Sequence, residues 1–227
     1  MLVRPIAGED DLRRVGRIRY ERFVEERRCS LPHADNENRL LLEPLDASAV
    51  LLGGYIDGEL VGSARLHLGL PEDYRRLYRL GECPPAERAR VSVTSRLVVS
   101  PRLRSLGRAA LRLSQGCFEV AAAAGAWLNF IDCNEPLVGF FHALGFVDLG
   151  DGPVAHPAFG SIVPMVLVMP AVSGLRRQGS PFAGSAGHYR PADLAAAIAL
   201  LSRLAPGLDT RRAADREQTG SGAPLSA

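Results

Sequence analysis

Apolar and polar positions change their spacing from segment to segment, and each spacing predicts an element. Val3 to Ile6 reads as a short first strand. Asp10-Asp11 opens a helix that runs to about Arg28. Its apolar positions Leu12, Val15, Ile18, Phe23 and Val24 recur at roughly helical spacing, and the acidic start suits the helix dipole. Pro32 to Pro44 reads as a polar connector. Ser48 to Ile56 and Leu60 to Leu68 are strands on either side of Asp57-Gly58, a strong hairpin signal. Pro71 to Arg79 predicts a short helix and Gly81 to Glu87 a Pro-rich loop. Val91 to Val99 is a strand rich in β-branched residues, ended by Ser100-Pro101. From Gly107 to about Ala124, Ala110, Leu113, Cys117, Val120 and Ala121 share one helical face, and Gly125 closes the helix. Ala126 to Cys133 is a buried-type strand, Glu135 to Leu144 a short helix stopping at Gly145. Phe146 to Leu149 and Ser161 to Met169 are the last two strands.

After Pro170 the composition shifts to Gly, Ser and Arg. The pattern predicts one domain over residues 1–170, a linker over 171–190, a helix over 191–205 with Pro191 at its start, and a disordered polar tail over 206–227. No internal repeat is present.

The chain has 227 residues, a formal net charge of +2, and 27 basic side chains that are all arginine. The absence of lysine excludes a P-loop lysine, a Schiff-base lysine and a kinase-type strand lysine. Any anion must be held by arginine, histidine, backbone N–H groups or a metal, and the planar arginine fork suits phosphate. G- and C-rich codons give the same bias, and the exclusions stand either way. The near-zero charge argues against a nucleic-acid partner. Cys29, Cys83, Cys117 and Cys133 form no CxxC pair, and the five histidines show no metal-ligand spacing, so no metal is expected. The apolar stretch Ile162 to Val172 is too short to span a bilayer. With no apolar segment after Met1, the expectation is a cytoplasmic protein without signal peptide.

One segment carries chemistry: Val99-Ser100-Pro101-Arg102-Leu103-Arg104-Ser105-Leu106-Gly107-Arg108-Ala109. It joins a strand to a long helix. A helix N-terminus directs free N–H groups and the positive dipole end at an anion. Small residues at Ser105, Gly107 and Ala109 allow close approach, and Arg102, Arg104 and Arg108 add charge. This reads as a pyrophosphate cradle without Rossmann glycine spacing. The plain alternative is an ordinary strand–turn–helix junction with a solvated arginine cluster.

Arg104-Ser105-Leu106-Gly107-Arg108-Ala109 resembles the Arg/Gln-x-x-Gly-x-Gly/Ala pattern of the GNAT (GCN5-related N-acetyltransferase) superfamily. Asn134-Glu135-Pro136 and Phe140-Phe141-His142-Ala143-Leu144-Gly145-Phe146 resemble its second signature. The resemblance covers about residues 1–170. It implies an α/β (alpha+beta) fold with a mixed, mostly antiparallel sheet flanked by helices. An acyl thioester would lie in a cleft between two splayed strands, with its phosphates on the loop Val99 to Ala109. Asn134 and Phe141 of the second signature would also contact this donor. A backbone N–H of Leu97 or Val98 would polarise the thioester carbonyl. Phe141 stands where many such enzymes carry a tyrosine acid, and has no proton to give.

Arg19-Tyr20-Glu21-Arg22-Phe23-Val24, Leu45-Asp46-Ala47, Gly62-Ser63-Ala64-Arg65-Leu66 and Ser95-Arg96-Leu97-Val98-Val99 resemble the branch holding autoinducer synthases and long-chain N-acyl amino acid synthases. Phe130-Ile131-Asp132-Cys133 and the stretch from His156-Pro157 to Pro164-Met165 are most similar to the latter. The resemblance implies transfer of a long acyl group from acyl-CoA, or from acyl-phosphopantetheine on an acyl carrier protein partner, to the amine of an amino acid or similar small molecule. Arg19, Phe23, Asp46 and Arg65 would bind substrate, and Arg96 would act at the reacting centre. Arg65 and Arg96 equally fit ion pairs with Asp46. Asp132 fits a catalytic base or a cap for the next helix. His142 and His156 read as structural. The Phe118, Phe130, Phe140, Phe141 and Phe146 set reads as core, some of it able to line an acyl tunnel. An acetyl-CoA-dependent enzyme and a GNAT-like thioester-binding module without turnover are the competing readings. The sequence leaves the oligomeric state open.

Overall fold

A computed structural model describes residues 1–103, 105–150 and 152–209. Arg104, one of the expected phosphate ligands, and the tail from 210 onward lie outside the described residues. In chain order the elements are β1 (Leu2–Pro5), α1 (Glu9–Arg19), β2 (Ala34–Asp35), β3 (Leu40–Leu41), β4 (Val50–Ile56), β5 (Glu59–Leu68), α2 (Glu72–Leu77), β6 (Val91–Val99), α3 (Leu106–Ala123), β7 (Leu128–Cys133), α4 (Val138–Leu144), β8 (Val147–Asp148), β9 (Val154–His156), β10 (Gly160–Val168), α5 (Val172–Arg177) and α6 (Pro191–Leu204). The main sheet runs β1-β4-β5-β6-β7-β10-β8, with β9 pairing β10. Among the described residues, only β6 and β7 are parallel; every other pairing in this sheet is antiparallel. The parallel pair needs a long crossover, and α3 supplies it.

Helices cover both faces. On one face α3, α4 and α5 bury Phe118, Ile131, Phe141, Phe146 and Leu167. On the other, α1 closes over Tyr55 and Val98, while α6 lays Ala197, Leu200, Leu201 and Leu204 over Val91, Val93 and Phe130. At roughly 1.5–3 kcal/mol per fully buried aliphatic side chain, α6 is an integral part of this core.

The helix expected to run as one piece to Arg28 changes form at Tyr20. Residues Tyr20–Glu26 continue α1 as a π-helical segment, a widening common at functional sites. The connector over 32–44 holds the small β2–β3 pair. Asp57 and Gly58 both take positive φ (50° and 82°), the two-residue turn that matches strand twist.

The linker expected over 171–190 is instead a folded segment. It carries α5 and buries Leu175, Phe182 and Ala186. Ser180 donates to the Leu144 carbonyl at 2.6 Å, and Tyr189 to the Ala126 carbonyl at 2.5 Å. Its Gly, Ser and Arg content masks a handful of widely spaced apolar anchors. Of the expected tail, Leu208 is described and packs partly against the α6 core. Among the described residues, no helix is long and apolar enough to cross a membrane.

Candidate active site

The site begins where two neighbouring strands part. β6 and β7 pair from Val91↔Leu128 to Val93↔Phe130 and no further. A buried polar cluster marks the end of the pairing: Asn129 donates to Ser92 at 2.8 Å and to Thr94 at 3.1 Å. Beyond it, β6 bulges. Ser63 faces Val98 and Arg65 faces Ser95, so Arg96 and Leu97 share the space opposite Ala64. Arg96 takes φ 51°, a left-handed conformation that costs a non-glycine residue about 1–3 kcal/mol. A bulge re-aims side chains and ends pairing, and here it opens the sheet.

Backbone alternation settles which groups face the gap. Ser100 N donates to Val61 O at 2.8 Å, so Val98, two residues earlier, also turns its N–H and C=O toward β5. Leu97 and Val99 turn theirs into the gap. By this alternation the Leu97 N–H turns into the gap and the Val98 N–H toward β5.

A cleft of about 90 Å³ fills the gap. Phe23 and Arg27 close it on one side; Thr94 to Leu97 and Ile131 to Asn134 form its walls. Alternation in β7 puts Ile131 and Cys133 on the Phe141 face, and Asp132 on the opposite face, where Tyr78 donates to its Oδ1 at 2.5 Å. Thr94, Ile131 and Phe141 also line a smaller apolar void of about 10 Å³, bounded by Cys117, Phe118, Phe146, Leu167 and Phe182. Burial pushes the Cys133 thiol up to about 12, so it is no nucleophile at neutral pH.

Beneath the cleft lies a charge network. Glu43 accepts from Arg96 Nε and Nη2, both at 2.6 Å, and from Arg65 Nη1 at 3.0 Å. Asp46 accepts twice from Arg19 Nη1, at 2.9 and 2.8 Å, and from Arg65 at 3.3 Å. Arg65 also donates to Ser95 and to the Tyr74 hydroxyl. Burial works against the Glu43 charge, but the Arg96 hydrogen bonds and the charges of Arg96, Arg65 and Arg19 override it and hold the carboxyl at about 2. Burial likewise opposes the Arg96 charge, and Glu43 more than offsets it.

Arg19 and Arg65 are fully buried, so they and Asp46 lie under the cleft rather than in its wall. Expected as substrate ligands, these three are paired with one another here, through Arg19 Nη1 and Arg65 Nη1 on Asp46. Arg96 alone of the network reaches the cleft, with its plane 4.5 Å over the Phe159 ring.

Following β6 in the chain, α3 begins at Leu106. The first intrahelical bond runs from Ala109 N to Ser105 O, leaving the N–H groups of 106–108 pointing out of the helix end. No acidic residue stands in the first turn of α3. Among the described residues, nothing lies within 4 Å of where a Gly107 Cβ would be. Arg108 is exposed, as is Arg102, which pairs with Glu21 at 3.1 Å. Leu103 and Ala109 pack inward. Asn134, expected at the donor, lines the cleft; its Oδ1 accepts from Arg27 at 2.7 Å, and its Nδ2 donates to the Phe159 and Ser161 carbonyls. Asp132 does not cap the following helical turn, whose N-cap is Asn134.

A family model, N-acyl amino acid synthase FeeM, matches residues 14–169. The chain belongs to this family. It is an N-acyltransferase. Solved structures share its GNAT-like acyltransferase fold. TofI in a ternary complex with an inhibitor and MTA superposes with a TM-score of 0.60 at 21% identity, over 80% of this chain and 97% of its own. MesI, a CoA-dependent acyl-homoserine lactone synthase, gives 0.54 at 25% identity over 69% and 80%. ElaA of Escherichia coli gives 0.52 at 18% over 73% and 97%. No curated protein matches the chain.

In this FeeM-family chain the residues missed from sequence are Glu43, Tyr74, Tyr78 and Phe159. Glu43 had a local signal: Glu43-Pro44-Leu45-Asp46 forms a reciprocal cap around a 3-10 turn. Tyr74 sits in a short polar helix and Tyr78 directly after it, and nothing in their spacing points at Arg65 or Asp132.

Proposed function

We propose that the enzyme transfers a long fatty acyl group from a phosphopantetheine thioester, carried by CoA or acyl carrier protein, to the amine of an amino acid. The observation that carries this reading is that an apolar void lies directly behind the cleft, the two sharing Thr94, Ile131 and Phe141 as lining residues. The thioester carbonyl lies against the Leu97 N–H, its pantetheine arm along the Val99 edge, and its phosphates on the N–H groups of Leu106 to Arg108 with Arg102, Arg104 and Arg108. Phe23 covers the thioester on the π-helical side.

Three guanidiniums, Arg19, Arg65 and Arg96, meet two carboxylates, Glu43 and Asp46. One positive charge is left over the network as a whole, and Arg96 is the member that lines the cleft. Glu43 occupies Nε and Nη2, so Nη1 is the edge offered to an acceptor carboxylate. Asp132, on the same face, takes the proton from the acceptor nitrogen. Mass spectrometry of lipids from an expressing host tests the reading; intact protein without any new N-acyl amino acid refutes it.

The size of the void, about 10 Å³, favours a second reading: an acetyl-CoA-dependent enzyme acting on a small amine. Steady-state assays with acetyl-CoA, long acyl-CoA and acyl carrier protein separate the two. A clear preference for the two-carbon donor selects the second.

A further inference from the structure

Phe141 leaves the cleft without the tyrosine acid expected of a GNAT site. A tyrosine does reach the site, from a different element. Tyr78 follows α2 directly, and its hydroxyl holds Asp132 Oδ1 at 2.5 Å. The ring is wedged between Tyr74 and Phe130, with centroids 5.6 and 6.5 Å away. Its backbone is fixed by Tyr78 N donating to Tyr74 O and Leu80 N to Arg75 O, both at 2.9 Å. The hydroxyl is therefore delivered by a rigid, buried mount. Asp132 lines the cleft, and no partner for its Oδ2 is found among the described residues.

We propose that Tyr78 is the positioning residue of Asp132: by holding Oδ1, it leaves Oδ2 to serve the cleft in both proton transfers. This rests on the reading of the site as an amine acyltransferase with Asp132 as base. The amine lone pair forms the C–N bond as the carbonyl electrons move to oxygen, held by the Leu97 N–H. The nitrogen proton passes to Oδ2. The C–S bond then breaks, and the leaving thiolate takes that proton from Oδ2. Atoms and charge balance without a second acid, which accounts for a phenylalanine at position 141. Burial, then the nearby Asp132 charge, drives the Tyr78 hydroxyl well above its ordinary value, so it stays a donor throughout. The other titratable groups whose charges act on Asp132 or feel it are Arg96, His156 and Cys133. His156 is held below its ordinary value chiefly by burial, and Cys133 stays a thiol.

The test is a kinetic cycle on the full chain with Y78F, D132N and the double variant, each checked by thermal unfolding. D132N is expected to lower kcat by about 10²-fold or more, the scale of general acid–base catalysis. Y78F is expected to lower kcat about tenfold with both KM values unchanged. In the D132N background, Y78F should cost nothing further. Equal losses from Y78F with and without Asp132 would make Tyr78 merely structural and overturn the proposal. A wild-type rate in Y78F beside an inactive D132N overturns it too, while leaving Asp132 as base. A wild-type rate in D132N removes the base reading itself. Removing the donor should also move the acid limb of kcat/KM to higher pH. 3-Fluorotyrosine at position 78 keeps the fold and is a stronger donor, so it should move the limb lower. No shift in either direction overturns the proposal.

Discussion

Glu43 grips Arg96 through both carboxylate oxygens at 2.6 Å, although 53 positions separate them in the chain. The contact holds the one residue of β6 that is forced into the left-handed region. It also fixes the guanidinium plane over Phe159. The bulge that opens the cleft and the charge that lines it thus depend on a side chain from outside the main sheet.

Removing Glu43 should therefore damage both fold and site. A buried pair broken on one side costs about 3–5 kcal/mol, which for a chain of this length is roughly 10 °C in Tm. Glu43→Ala is expected to show that drop by calorimetry, with activity lost. The sign with pH follows from a folded value of about 2 against 4.5 in the unfolded chain. The stabilisation is full above pH 4.5 and is lost as pH falls toward 2. Glu43→Ala should lack this acid-side loss.

Gly107 separates the cradle from an ordinary helix start. A methyl group there meets none of the described residues, and alanine is the better helix former by about 0.5–1 kcal/mol. Gly107→Ala is expected to keep or raise Tm. Donor phosphates lying on the backbone would meet the methyl, and affinity should fall at least about tenfold, or ~1.4 kcal/mol. Calorimetry with acyl-CoA reads this, and unchanged affinity removes phosphates from this loop.

How much was visible beforehand depends on the range of the interactions. Val91 to Val99 has the predicted bounds because a β-branched run is bracketed by polar turns. The Asp57-Gly58 hairpin and α3 follow from local pattern as well. Glu43 and Tyr78 were missed because their partners lie far along the chain, and hydrophobic periodicity carries no record of such pairs. Val98 was grouped with Leu97 because direction alternates residue by residue, and only the register with β5 fixes its phase. The buried fate of Arg19, Asp46 and Arg65 has the same cause: the motif shows which charges are present, while only the packing shows that they meet one another.

Ile131 stands between the cleft and the void behind it. Ile131→Val removes one methyl at a cost of about 0.5–1.5 kcal/mol, small enough to leave the fold intact. It should widen the passage and shift donor preference toward longer acyl chains in competition assays. Ile131→Phe should block the passage and leave only the shortest donors active. The same chain-length profile in all three proteins would mean that the acyl tail lies elsewhere.

His67 gives the neutral-to-acid side of the stability curve. It is buried on β5, two residues from Arg65, and its Nε2 has no hydrogen-bond partner among the described residues. Burial first, and the Arg65 charge second, depress it to about 4. In the unfolded chain it titrates near 6.5, so between these values the unfolded state binds more protons. Stability is then fully present above about pH 6.5 and is lost as pH falls toward 4. The loss reaches at most about 2 kcal/mol at pH 5. His156 is shifted in the same direction, chiefly by burial, and adds to the slope. Urea unfolding at pH 7 and pH 5 should show the decline. His67→Phe, which keeps a ring and removes the titrating nitrogen, should flatten much of it while the Glu43 loss below pH 4.5 persists. A variant with the full wild-type slope would place the titration on another group.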